Sequence, residues 1–208
     1  IIFPPFISLL SANKELQNST IKLGAQNMHF KESGQFTGEI SANMLLNICE
    51  YVIIGHSERR QFFNESNTVI NKKLKSAIKN GLKPILCIGE SLKEKSAGLS
   101  TKILEKQLIK GLDGITNSKD LIIAYEPVWA IGTGVIPKIE DLKMQIYKIR
   151  KIIKKEFKKK NPKIIYGGSV NSQNIDKLNK INNISGYLIG KSSQNSKKFI
   201  DIIKKTIN

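Results

Sequence analysis

The chain is poor in the residues that most often build metal or disulfide sites. It has two cysteines, Cys49 and Cys87, in 208 residues, with no CxxC pair. That excludes a disulfide framework and points to a reduced, cytosolic compartment. Its two histidines, His29 and His56, lack ligand-type spacing, which argues against a metal site. No apolar run reaches the length of a membrane span, and no signal peptide is visible. Acidic residues are also scarce, 17 against 34 Lys and Arg, for a formal charge of +17. The densest basic run, Lys151–Lys160, alternates with apolar positions at helical spacing, as a solvated amphipathic face does. Without aromatic or Arg-rich binding motifs, this charge argues for no nucleic-acid partner. A positive field suits a small anionic substrate without identifying one.

What is present is alternation. Short apolar runs at Ile1–Pro4, Ile21–Ala25, Tyr51–Gly55, Pro84–Gly89, Leu121–Tyr125, Lys163–Tyr166 and Gly186–Gly190 read as strands. Helical patterns stand between them. One runs from Phe62 to Asn80, with Phe62, Val69, Ile70, Leu74, Ala77 and Ile78 on one face and Gly81 as its stop. Another is marked by Ile139, Leu142, Ile146, Ile149 and Ile153. Strands alternating with helices imply an α/β fold with a covered parallel sheet, and no linker divides residues 1–208. Seven strand–helix units fall one short of a closed eight-unit barrel.

Three segments carry chemistry. In Leu121–Gly134 an apolar strand delivers Glu126 to its end, Pro127 fixes a turn, and Trp129 precedes a hinge of Gly132 and Gly134. A carboxylate beside a movable lid suits proton abstraction next to a carbonyl; alone, Glu126 reads equally as a strand-end ion pair. In Gly55-His56-Ser57-Glu58-Arg59-Arg60 an imidazole follows a buried strand, and Ser57 and Glu58 open a short helix whose amides face the ring. In Ile164–Asn171, Gly167 and Gly168 lead through Ser169 into a helix start, a cradle for an oxyanion.

Together YEPVWAIGTG and GHSERR resemble the triosephosphate isomerase family, and the resemblance runs along the whole chain. It implies a (β/α)8 TIM barrel, here about seven β/α units forming one incomplete domain over 1–208. Phe3-Pro4-Pro5-Phe6 is similar to the end of the family's second strand, so the chain, opening on Ile1, reads as a fragment without the first strand and helix. The resemblance implies interconversion of glyceraldehyde 3-phosphate and dihydroxyacetone phosphate through an enediolate, in glycolysis and gluconeogenesis, with no metal or organic cofactor. Glu126 is then the general base and His56 a neutral electrophile; this family is itself the familiar case of both a neutral catalytic histidine and a gating loop. Gly132, Ser169 and Gly190 would supply phosphate-binding amides. Lys191 stands where the family usually has a second glycine, and either weakens amide donation, contacts phosphate or faces solvent. Asn27, Thr37 and Glu58 would support the site, with Gly34–Glu39 in a loop that enters a second subunit of a homodimer. Glu39 would pair with Arg59, and Cys87 would be a core thiol.

The family's first strand–loop brings an asparagine and a lysine that no segment here matches, so the 208-residue chain alone is expected to be impaired. Two alternatives stay open at this stage. One is another phosphate-binding barrel enzyme, acting on indole glycerol phosphate or a phosphorylated sugar. The other is a noncatalytic protein derived from the barrel.

Overall fold

The computed structural model describes residues 1–116, 119–157 and 162–207. Lys158–Lys160 of the basic run lie outside these described residues. The chain forms two compact units, the first of Ile1–Cys87 with Ile109–Ile122 and the second of Ile88–Leu108 with Ile123–Asn208.

In the first unit, helix α1 (Phe6–Glu15) leads to the short strand β1 (Gly24–Ala25) and helix α2 (Ala42–Leu45). Strand β2 (Tyr51–Ile54) follows, then helices α3 (Ser57–Phe62) and α4 (Asn67–Lys79) and strand β3 (Lys83–Ile88). β1 pairs parallel with β2, and β2 with β3, in the register Tyr51↔Lys83 to Ile54↔Leu86. The strands are nearly continuous apolar runs because both of their faces are covered. Val52, Ile54 and Leu86 have no exposed surface, and neither do Ile70 and Leu74 of α4. Each such side chain contributes about 1.5–3 kcal/mol on burial.

The first apolar run shrinks to one bridge, Ile2↔Leu23, because Pro4 and Pro5 have no N–H to extend the ladder. The helix expected from Phe62 to Asn80 begins only at Asn67, and Phe62 instead ends α3. Asn64, at φ 53, turns the chain between them, and Phe62 is 69% exposed instead of facing the core. α4 ends at Lys79, with Asn80 as its C-cap just before Gly81.

The second unit holds helix α5 (Leu92–Ser96), most of α6 (Ser100–Gly111) and strand β4 (Ile122–Tyr125). It continues through α7 (Ile139–Phe157), β5 (Lys163–Tyr166), α8 (Ile175–Leu178) and α9 (Ser196–Ile207). β4 and β5 are neighbours in the sheet. Leu142, Ile146, Ile149 and Ile153 of α7 are buried, as the periodicity predicts. The final apolar run is reduced to the bridge Tyr166↔Tyr187, because Gly186 has φ 149, away from strand geometry. Among the described residues no helix is long and apolar enough to cross a membrane.

Candidate active site

His56 follows β2 through Gly55, whose φ of +73 is one that L side chains rarely adopt; a Cβ there would also lie 2.9 Å from Ile70 Cδ1. Arg60 pins this turn. Its Nε donates to the Gly55 carbonyl at 2.8 Å, one Nη to Asn67 Oδ1 at 2.7 Å, and the other to the Cys87 carbonyl at 2.8 Å. The imidazole caps α3: the Glu58 N–H donates to His56 Nδ1 at 3.4 Å. A ring nitrogen that accepts a hydrogen bond carries no proton, so in the neutral ring the proton sits on Nε2. The Glu58 carboxylate, 66% exposed, lies 3.7 Å from the same Nδ1.

Asn27, also read as a supporting residue, is buried in a charged cluster. Lys73 Nζ donates to Asn27 Oδ1 at 2.8 Å and to Glu65 Oε1 at 2.5 Å, and Arg59 Nε donates to that same Glu65 oxygen at 2.7 Å. This corrects the expected Glu39–Arg59 pair. The turn at Asn64 returns the chain so that the Glu65 N–H meets the Arg59 carbonyl at 3.1 Å, which places the Glu65 carboxylate against the guanidinium. Burial raises the Glu65 pKa, and Lys73 and Arg59 more than offset it, leaving the carboxyl below its ordinary value. Lys73 is only 3% exposed, a buried cation on α4. A charge run along a helix does not reveal which lysine has a buried acceptor waiting.

Thr37 is exposed in a loop whose ends are tied by the His29 N–H to the Ile40 carbonyl at 2.7 Å. Cys87 is fully buried, in keeping with a core thiol. Burial pushes the Cys49 thiol up to about 11.

In the second unit Glu126 follows β4 and is 2% exposed. Its N–H donates to the Ile88 carbonyl at 2.7 Å, and the Gly167 N–H donates to the Tyr125 carbonyl at 2.9 Å. Two glycines make room for it. A Cβ on Gly89 would overlap the Glu126 carbonyl oxygen, and one on Gly167 would lie 2.8 Å from Glu126 Cγ. Backbone therefore packs against Glu126 on two sides, Gly89 against its main-chain carbonyl and Gly167 against its side chain, and only glycine permits that approach.

After Pro127 the lid segment makes a 3-10 turn, Val128–Ala130. The Trp129 indole Nε1 donates to Glu90 Oε1 at 3.1 Å, and Tyr125 OH lies 3.1 and 3.3 Å from the two Glu90 oxygens. Lys95 Nζ sits 3.4 Å from the Trp129 ring centroid, a cation–π contact. Glu90 is 1% exposed, and that burial raises its pKa against the hydrogen bonds from Trp129 and Tyr125. Sequence reasoning passed over Glu90; its one available signal was a carboxylate directly after a strand-end glycine.

At the lid's far end the Gly134 N–H donates to Ser169 Oγ at 3.2 Å, so the hinge and the glycine-rich turn are in contact. Gly132 is exposed, with open space where a Cβ would go. The helix expected directly after Ser169 begins only at Ile175. Asn171 explains the delay: its Oδ1 takes the N–H groups of Gln173 and Asn174 at 2.9 and 3.1 Å, an Asx turn that competes with helix. Asn174 Nδ2 then donates to the Ser169 carbonyl at 3.0 Å. Gly190 and Lys191 are exposed, and Lys191 opens a 3-10 turn, Lys191–Gln194. Lys191 is not among the residues at positive φ, so its Cβ brings no left-handed strain. Ser192 Oγ donates to the Val170 carbonyl at 2.9 Å, tying this turn to the glycine-rich one.

Parallel strands alternating with helices, with polar side chains just past the strands' C-terminal ends, define an α/β enzyme of the barrel class. The family model described as triosephosphate isomerase matches residues 1–206. The chain is 48% identical over 210 residues to the triosephosphate isomerase of Dictyoglomus thermophilum, covering 98% of this chain and 84% of the relative. It is 46% identical to that of Aquifex aeolicus, with the same coverage, and 45% to that of Dehalococcoides mccartyi strain CBDB1, covering 99% and 82%. The chain belongs to the triosephosphate isomerase family, and its fold class is the α/β TIM barrel.

Proposed function

We propose that the chain is an isomerase that interconverts glyceraldehyde 3-phosphate and dihydroxyacetone phosphate, working in glycolysis and gluconeogenesis. The observation that carries the reading is the family match across residues 1–206 with YEPVWAIGTG and GHSERR both intact. Because one family model spans these residues, we read 1–208 as one barrel-type domain.

Glu126 is the base that takes the proton beside the substrate carbonyl. Its burial supports this role, since a carboxylate out of water keeps its basicity for substrate. His56 presents an Nε2 proton to the substrate oxygens, and the Glu58 amide at Nδ1 supports that tautomer. Proton transfer between the two carbons passes through an enediolate, whose charge needs fixed donors. Glu58, Asn27 and Thr37 are supporting residues. The amides of Gly132, Ser169 and Gly190 hold the phosphate, with the Lys191 ammonium beside it.

Val128–Gly134 closes over the intermediate and excludes water; the Gly134–Ser169 and Trp129–Glu90 contacts support a closed lid. The exposed loop around Phe36 and Thr37 supports a homodimer. Two buried, free cysteines suit a reducing cytoplasm.

The test is Glu126→Ala in a coupled assay with each triose phosphate. Loss of the base lowers kcat by roughly 10²–10⁴, with an unchanged far-ultraviolet spectrum. Turnover equal to the parent's would remove Glu126 from the mechanism.

A further inference from the structure

Away from these residues, the second unit has a cavity of about 190 Å3, lined by Lys143, Ile146, Tyr147, Arg150, Asn182 and Asn183. Four of these sit at i, i+3, i+4 and i+7 of α7, a single stripe on the helix. Ile146 is 1% exposed and forms an apolar floor. The Arg150 guanidinium is half-buried and, among the described residues, meets only neutral acceptors: one Nη donates to the Pro162 carbonyl at 3.1 Å, the other to the Asn183 carbonyl at 2.7 Å. Among the described residues its Nε has no acceptor, and no carboxylate lies within ion-pair distance of Arg150 or Lys143.

We propose that this cavity is a binding site for a phosphate-class oxyanion, clamped between Lys143 and Arg150. Carbonyls satisfy hydrogen bonds but supply no counter-charge, and a half-buried cation without one is costly. Burial lowers the Arg150 pKa. The Asn182 and Asn183 amides and the Tyr147 hydroxyl add neutral donors, and the cavity far exceeds the room one water needs. A planar guanidinium fork with a mobile ammonium suits tetrahedral oxyanions.

The experiment measures the rise in thermal midpoint of the full chain on adding inorganic phosphate, at ionic strength held constant with chloride. Lys143→Ala removes one clamp, and Lys151→Ala, at an exposed position on α7, removes the same charge elsewhere. Asn183→Asp leaves both cations in place and gives Arg150 an internal counter-ion. The site predicts that Lys143→Ala and Asn183→Asp each lose at least about half of the phosphate-induced rise, while Lys151→Ala keeps it. Phosphate at the catalytic residues contributes equally in all variants, and kcat stays at the parent value. Equal losses in Lys143→Ala and Lys151→Ala would reduce the effect to net charge and overturn the proposal. So would a full rise in Asn183→Asp. Glycerol 1-phosphate run beside inorganic phosphate identifies the source: a larger Lys143-dependent rise assigns the cavity to a phosphate monoester, and an equal one to the free ion.

Discussion

Glu90 separates stability from turnover in a way that one substitution exposes. The carboxylate is 1% exposed and takes donors from Tyr125 and from Trp129 in the lid segment. Glu90→Gln keeps one acceptor oxygen but replaces a charged acceptor by a neutral one. A hydrogen bond to a charged group contributes about 1.5–3 kcal/mol and a neutral one about 0.5–1.5. The Trp129 contact therefore weakens by about 1 kcal/mol, roughly a fivefold shift toward a freed Trp129 side chain. Global stability moves the other way. Burial raises the Glu90 pKa, so between its ordinary and raised values the folded chain binds more protons than the unfolded chain. Stability then falls as pH rises through that window, and ionised Glu90 is a net cost at neutral pH. Removing the charge should leave the urea midpoint at pH 7 equal or higher, and should flatten this slope. Trp129 is the chain's sole tryptophan, so its emission reports the lid segment directly. The expected variant is no less stable, shows a shifted Trp129 emission and turns over a few-fold more slowly. Unchanged emission with unchanged kcat would refute the hold of Glu90 on the Val128–Gly134 segment; a lower urea midpoint would refute the electrostatic argument.

Lys73→Met leaves the Glu65 carboxylate buried with one cation fewer, so urea unfolding should show a loss of about 3–5 kcal/mol. The Glu65 pKa is lowered, so its contribution is present above its unfolded pKa and vanishes as pH falls through the folded value; Glu65→Gln should accordingly flatten the acid limb of stability. Gly89→Ala forces a Cβ onto the Glu126 carbonyl oxygen and should destabilise by at least about 1–3 kcal/mol in thermal unfolding.

Much of the candidate site was legible because it is local in sequence. A strand that ends in Glu126, a proline, a tryptophan and two glycines lies within fourteen consecutive residues, Leu121–Gly134. The Glu58 amide reaches the His56 ring from two residues away. Periodicity located α7 because burial on one helix face repeats along the chain. The terminal strands were overcalled, since apolar composition does not reveal the donors that Pro4 and Pro5 lack in the ladder or the backbone angle of Gly186. Charge partners were the least legible. Arg59 chose Glu65 over Glu39 because of a turn at Asn64, and Lys73 became a core residue because Asn27 and Glu65 converge on it.

The order of residues alone determined the alternating α/β pattern, the positions of the strand-end acid and imidazole, and the hinged segment after Glu126. Each depends on neighbours within a few bonds, where propensity and spacing act. Only the tertiary structure decided which charges are buried, that Glu90 receives both Tyr125 and Trp129, and that Arg150 faces a cavity with no carboxylate among its described lining residues. Those outcomes depend on groups brought together from distant parts of the chain, where dielectric and hydrogen-bond geometry set the energy and sequence separation carries no information about it.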